Sequence, residues 1–332
     1  MGALFEVLFF QPFSWVLVQL YELVRNYALA ITLFALIAKI VLLYFSGKAK
    51  LSTLRQQRVQ PKIQALQKQY KNDKQKMQAE TMKMYQAEGV SPMGGCLWML
   101  LPFPVLIVLF SVVRQPLVRL MGFQGSEQEI TDFLVKLFND AGVAMPAMAA
   151  NEFYPQLKLA QVVHDNFDLV QNALEYPIRN IDFTLFGMNL TLIPTLPWQG
   201  FSWLFLIPLI SGATAYLQMH VVNKVSKMPV NPQMKYMAFL GPGISLYFGF
   251  IMPAVMSVYW IANNVFGMLQ DIYLTKKYNK VLDEEDAKKA ELDARRKEAE
   301  AKQKEEDRQR RAEKIEQKNK NTKKYKMTKK PK

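Results

Sequence analysis

The sequence predicts an all-α membrane protein with five transmembrane helices, a cytoplasmic helical hairpin and an N-terminal interfacial helix. Two observations predict it. Uncharged runs long enough to cross a bilayer alternate with strongly charged stretches: residues 93–113 (MGGCLWMLLPFPVLIVLFSVV) are 21 residues without a charge, whereas 276–332 holds 35 charged residues in 57. The connections between the uncharged runs also alternate in basicity along the chain. The mean hydropathy of −0.03 is therefore a cancellation between two kinds of segment, and it argues against a soluble single-core globule.

A bilayer core of about 30 Å needs roughly 20 apolar residues in helix. The first span is 27–45, broken only by Lys39, the second is 93–113, and the third is 200–219. Residues 236–270 carry no charge over 35 residues, too long for one crossing. Gly249 and Pro253 divide them into a fourth span, 236–251, and a fifth, 254–273, joined by a tight turn. Pro102, Pro104, Pro208 and Pro242 are expected to kink their helices, which a bundle tolerates when neighbours re-satisfy the freed carbonyls.

Residues 1–26 include 15 uncharged positions between Glu6 and Glu22, interrupted by Pro12. No basic leading region or small-residue cleavage site marks a secretory signal. A sixth span would be short and would place the N-terminus inside without a basic flank. The segment is therefore read as an interfacial amphipathic helix on the outer leaflet, with the sixth span as the alternative.

Loop charges set the orientation. Residues 46–95 hold 10 Lys/Arg and 3 acids, 220–235 hold 3 Lys/Arg and no acid, and 276–332 hold 22 basic and 13 acidic residues. The long connection 115–199 holds only 4 Lys/Arg against 9 acids. Basic loops stay in the cytoplasm. The reading is thus a multi-pass membrane protein, N-terminus outside and C-terminus in the cytoplasm.

Within the cytoplasmic segment 46–91, Leu51, Leu54, Ile63, Leu66 and Tyr70 recur at near-heptad spacing, and Met77, Met84 and Tyr85 continue beyond Lys71-Asn72-Asp73. Two antiparallel helical arms with a turn at Asn72-Asp73 follow, and Pro61 is expected to break or kink the first. The basic arms would project near anionic lipid headgroups; a solvated loop with some helix is the plainer alternative. Gly89, Pro92, Gly94 and Gly95 permit a hinge where the hairpin meets the membrane. The basic cytoplasmic tail 276–332 is polar on every face, and Glu284/Lys288 and Glu300/Lys304 are spaced to pair on a helix. Its last stretch, 317–332, has no acid and reads as disordered. Such a tail can meet lipid headgroups or RNA phosphates without base readout, so no sequence-specific nucleic acid is implied.

Lys39 lies six residues before Phe45, about 9 Å inside the cytoplasmic end of its span. A cation at the centre of a span costs on the order of 2.5–3.5 kcal/mol on insertion scales, so it usually faces a wet cavity or a partner, unless its stem snorkels to the headgroups. Asp271 is the one carboxylate near it within the spans. With Ser111 on the second span and Ser257, Asn263 and Asn264 on the fifth, Lys39 points to a hydrated groove open to the cytoplasm. Ordinary interhelical hydrogen bonding is the alternative for the asparagines. A groove of this kind draws acidic or polar peptide into the inner leaflet while apolar helices accept the hydrophobic part, and no covalent chemistry is needed.

The run SPMGGCLWMLLPFPVLIVLF at 91–110, the run LYFGFIMPAVMSVYWIANNVFGMLQ at 246–270 and the first span together resemble the YidC/Oxa-type membrane protein insertases over roughly 12–114 and 181–277. The resemblance implies an insertase that takes hydrophobic segments from the cytoplasm into the bilayer. Its implied partners are nascent membrane proteins, a ribosome met by the tail, and the Sec translocon. The family carries an arginine in its first span, and Lys39 stands there, keeping the charge but not the bidentate fork. Tyr259 and Trp260 match the family's fifth-span pair, whose tyrosine side is associated with substrate contact. Trp98 and Pro102 depart from its commoner residues. The short N-terminal region resembles the Gram-positive type without a large extracytoplasmic domain, although a lipoprotein-like signal is missing.

Other classes fit less well. A polytopic transporter or channel is the alternative reading, but duplicated halves and several intramembrane ionisable residues are absent from the sequence. An enzyme is not expected: no histidine lies within a core span for a serine protease, and paired intramembrane aspartates are lacking. One cysteine, Cys96, and two histidines leave no basis for a disulfide framework, a metal site or a cofactor.

Overall fold

Asn26 starts the first long helix of the bundle: its side chain accepts from the Leu29 amide at 2.9 Å, which satisfies one of the donors a helix start leaves free. Arg25, at φ 51°, ends the helix before it in a left-handed turn. In the computed structural model, residues 6–91, 102–147, 153–196, 202–226 and 232–328 are described. A π-helical turn, Glu6–Phe10, leads into α1, Gln11–Val24, with Pro12 in the first turn, where its missing N–H is tolerated. Ser14, Leu17, Val18 and Tyr21, at i, i+3, i+4 and i+7, are buried and face α2, Tyr27–Val41. Phe13 meets Phe34 at 5.6 Å between ring centroids. The π-helical turn and α1 each touch the long connection: the Arg119 guanidinium holds the Glu6 carboxylate through two bonds, and the Asp182 amide donates to the Tyr21 hydroxyl at 2.9 Å.

At Leu42 the chain bends by 63° into α3, Leu43–Gln69. Pro61, expected to break or kink the first arm, lies inside α3 without ending it. It sits on the exposed side, where the carbonyl freed by the missing N–H reaches water. The expected turn follows at 70–72, and Asp73 caps α4, Lys74–Ala87, by accepting from the Lys76 amide at 2.9 Å. Val59, Ile63 and Val90 form a small apolar core with Met84 and Tyr85. Lys62 pairs with Glu88 across the arms, and Gln56 donates to the Ser91 carbonyl at 2.9 Å.

After α5, Pro102–Arg114, the long connection folds into a helical layer. A capping box of Ser126 and Glu129 starts α6, Glu127–Asp140, whose Ile130, Leu134 and Phe138 are buried at four-residue spacing. The helices α7, Pro155–Asp165, and α8, Phe167–Asn172, precede a two-stranded hairpin, β1 Thr184–Leu185 and β2 Met188–Asn189. The apolar piece around 181–190 is core: Ile181, Phe183 and Leu190 are buried, with Phe183 edge-on to Tyr27 at 4.8 Å.

A short turn of 3₁₀ helix, Trp203–Phe205, opens α9, Leu206–Ser226, which is followed by α10, Pro232–Ile251. The cytoplasmic connection expected over 220–235 is thus mostly helix, and 227–231 lie outside the described residues. No glycine or proline intervenes between Gly212 and Pro229 to stop α9, and Lys224 in its last turn suits the helix dipole. The break at Met252-Pro253 falls where the sequence predicts it, before α11, Ala254–Thr328. The first free amides of α11, on Ala254 and Val255, donate to the Leu192 and Leu190 carbonyls at 2.9 and 3.1 Å. The disorder expected for 317–332 is not met as far as Thr328: lysine-rich though it is, the stretch has no glycine and no proline before Pro331. Residues 1–276 and 277–332 form two compact units. In the second, Glu291–Arg295, Arg296–Glu300 and Glu298–Lys302 pair at 2.7, 3.2 and 2.9 Å.

The chain is an all-α membrane protein. Glu6–Val24 and Trp203–Ser226 are each long and apolar enough to cross a bilayer, as is the bent pair α2 and α3 taken together. Pro104–Arg114 and Leu240–Ile251 are shorter apolar helices.

Candidate substrate groove

Lys39, near the end of α2, turns its ammonium into the bundle. A methyl group added at Gly267 of α11 would lie 3.3 Å from Lys39 Nζ and 2.8 Å from Gln218 Nε2. Glycine at 267 therefore lets a lysine from α2 and an amide from α9 approach one bare stretch of α11. Gln270 donates to the Lys39 carbonyl at 3.4 Å, tying the two helices nearby. Asp271, one turn beyond Gly267, pairs with Lys50 of α3 at 3.2 Å, and the Lys50 side chain is only 11% exposed. Lys39 makes no salt bridge among the described residues.

Beside this cluster lies a cavity of about 700 Å³ between α5, α9, α10 and α11. Leu106, Met219, Val222, Phe248 and Trp260 give it apolar walls, while Gln218, Asn223, Ser245, Asn264 and Asp271 supply polar groups. The polar groups are held in place. Asn264 donates to the Ser211 carbonyl at 3.3 Å and to the Thr214 hydroxyl at 3.2 Å, and the Ser211 and Ser245 hydroxyls are 2.8 Å apart. Trp260 packs against Phe248 with ring centroids 6.3 Å apart. Such a site can receive a polar or acidic peptide segment along one wall and an apolar one along the others. Among the described residues no group of three or more His, Cys, Asp or Glu is placed to hold a metal.

Of the residues singled out in the sequence, Lys39 stands at the edge of this cavity and Trp260 lines it. Tyr259 is buried in the apolar core, and Asn263 is outside the cavity lining, where its neighbour Asn264 stands instead. Ser111 is half-buried one turn before Arg114, whose guanidinium meets Glu127 and Phe153, and it does not line the cavity. Gly89 ends α4 at φ 64°: its amide donates to the Gln86 carbonyl at 3.1 Å and that of Val90 to Tyr85 at 2.9 Å. This is a Schellman end that turns Val90 into the hairpin core. Pro92, Gly94, Gly95 and Cys96 lie outside the described residues. Ser211, Thr214 and Gln218 were missed, although their i, i+3, i+7 spacing marks one polar face of α9; Trp260, Asn264, Gly267 and Asp271 mark the facing stripe of α11.

A family model described as 60Kd inner membrane protein matches residues 19–281. The chain belongs to that family. Most of the bundle, the hairpin and every residue of the Lys39 cluster fall within the match. Among similar proteins, one named membrane protein insertase YidC from Wolinella succinogenes is 25% identical over 272 residues, covering 82% of this chain and 38% of its own length. Another of that name, from Granulibacter bethesdensis, is 40% identical over 103 residues, which is 31% of this chain and 18% of its own. A third, from Alkalihalophilus pseudofirmus, is 23% identical over 282 residues and is covered, like this chain, to 82%. The chain therefore spans well under half the length of the first two relatives and most of the third.

Proposed function

We propose that the chain is a membrane protein insertase. It takes hydrophobic segments from the cytoplasm into the bilayer, using the cavity beside Lys39 to receive their polar flanks. The observation that carries this reading is the inward-turned ammonium of Lys39 at the edge of a mainly apolar cavity that carries a set of polar groups, in a chain whose relatives are named insertases. The cation lowers the barrier for an acidic or polar flank by electrostatic attraction, and the apolar walls let the hydrophobic helix leave sideways into lipid. No covalent chemistry and no cofactor enter.

The proposal includes five spans with the N-terminus outside and the C-terminus in the cytoplasm of a bacterial plasma membrane. Charge asymmetry supports that orientation. The contacts of Glu6 and Tyr21 with the connection 115–199 support an interfacial placement of this segment over a sixth span. The basic hairpin would meet anionic lipids and swing about the Gly89–Gly95 segment. The basic tail would meet ribosomes, and the Sec translocon is a further partner.

The test is insertion of a small single-span substrate with an acidic outer flank into vesicles containing the purified protein. Lys39→Ala should insert it several-fold more slowly than wild type, and Lys39→Arg should retain activity. Equal rates for wild type and Lys39→Ala would remove the charge from the mechanism.

A further inference from the structure

The β1–β2 hairpin carries a side chain that water disfavours in a backbone conformation that sterics disfavour. Leu185 pairs with Met188, so Phe186-Gly187 is a two-residue turn, with φ of 50° and 74°. Positive φ at both positions is the hairpin geometry that selects asparagine, aspartate or glycine, and a bulky aromatic is costly there. Phe186 is nonetheless 92% exposed. Its own packing therefore does not account for it.

The depth of the turn is fixed by its neighbours. The chain leaving β2 supplies the carbonyls of Leu190 and Leu192 to the first amides of α11. Trp203, which opens the helical run of α9, is 62% exposed. The hairpin thus stands level with the starts of two bundle helices. Below it an apolar groove of about 620 Å³ runs between α9 and α11, with Phe186, Trp203, Ile210, Val258 and Phe266 among its lining residues. The groove continues onto the outward faces of these helices, where Leu209, Ile210, Val265 and Leu269 are uncovered. In an all-α membrane protein those faces meet lipid, and the groove is continuous with them.

We propose that the Phe186-Gly187 turn is a lipid anchor. Phe186 inserts into the interfacial zone of the bilayer beside Trp203 and seats the acyl chain of a phospholipid in the groove between α9 and α11. An exposed aromatic pair at the level of the helix starts is the arrangement that places amphipathic rings at a membrane boundary. Lipid, not peptide, is the occupant because the groove wall is almost wholly apolar and opens onto exposed apolar helix faces. The proposal needs only that α9 and α11 enter the membrane, so it stands or falls apart from the insertase reading.

The experiment uses the full chain with Cys96→Ser, carrying Phe186→Cys labelled with nitrobenzoxadiazole, in vesicles of phosphatidylethanolamine and phosphatidylglycerol. A label at Asp140→Cys, on the exposed end of α6, is the aqueous reference. Emission at 186 should be blue-shifted from the reference and quenched several-fold more strongly by nitroxide-bearing lipid. Equal emission and quenching at the two sites would overturn the proposal. So would quenching at 186 that vanishes when a single-span substrate is added, since the groove would then belong to peptide. Phe186→Asn guards against a cysteine variant that fails to fold. Asparagine suits the turn, so without a lipid contact amide exchange over 184–189 should slow; loss of an anchor should instead raise it several-fold in vesicles. Slower exchange would also overturn the proposal.

Discussion

Two of the cavities in this bundle, similar in size, are lined by different chemistry. One, of about 610 Å³, sits between α1, α2 and α5, with Phe9, Phe13, Phe34, Val105 and Ile107 among its walls and no polar side chain. The other, of about 700 Å³, sits between α5, α9, α10 and α11 and gathers Gln218, Asn223, Ser245, Asn264 and Asp271, with Lys39 at its edge. Burying amides and charges in a membrane interior is costly unless they are paired or wet. The two cavities thus set an apolar side of the bundle against one that gathers polar groups.

That division can be broken by substitutions on either side. The largest effect is expected in the apolar core, away from the polar cavity. Phe183→Ala removes the ring that packs edge-on to buried Tyr27 and should cost about 3–5 kcal/mol, seen as a lower Tm in detergent. Gly249→Ala is next. Its new methyl would lie 2.8 Å from Pro208 Cβ and 3.2 Å from Pro208 Cα, atoms of a rigid ring, and 3.0 Å from the Ser257 hydroxyl. A loss of about 1–3 kcal/mol is expected, with stability and insertion falling together.

Gly267→Ala sharpens the comparison, because its methyl would meet only the far ends of Gln218 and Lys39. The flexible ends can move aside and alanine favours the helix, so stability should fall less than for Gly249→Ala, while insertion of the acidic-flanked substrate drops as the ammonium is displaced. A fall in Tm as large as that of Gly249→Ala would erase the distinction between a packing position and the polar cluster. Asp271→Asn should move activity the other way. It takes a negative charge from the cavity wall, so that substrate should insert faster than with wild type, measured in the same vesicles.

The smallest effect lies in the long connection, at the capping box of α6. Hydrogen bonds from the Ser126 amide and hydroxyl hold the Glu129 carboxylate below its ordinary range. Its stabilisation is therefore complete above the ordinary carboxylate pKa and is lost as pH falls through the lowered one. Amide protection at 127–130, taken relative to the intrinsic exchange rate at each pH, should be unchanged through mild acid and fall once Glu129 protonates. Loss of protection already on leaving neutral pH would contradict the cap.

Much of this arrangement is legible in the sequence, for physical reasons specific to each element. Pro253 cannot continue a helix and Gly89 can take positive φ, so the α10–α11 break and the end of the hairpin are written locally. Lys39 stands out because a lone charge in an apolar run is expensive. The polar face of α9 is harder to see: Ser211, Thr214 and Gln218 are diluted among apolar neighbours, and only their spacing reveals them. The 63° bend at Leu42 has no proline or glycine at the bend to announce it. Lys50, eight residues on, is fastened to Asp271 more than two hundred residues away, and no local pattern encodes such a contact. Tyr259 shows the opposite error. It lies on a polar-looking stretch of α11, yet one residue from Trp260 is enough to turn it toward the apolar core.

The central claim is that the polar cavity receives the hydrophilic flank of a substrate. Photocrosslinking tests it most directly, with benzoylphenylalanine placed at Trp260 in the polar cavity or at Phe13 in the dry one, and a stalled single-span substrate bearing an acidic flank. Crosslinks from 260 to the acidic flank, with none from 13 to that flank, are the predicted result. Crosslinks to the flank from 13 and none from 260 would contradict it.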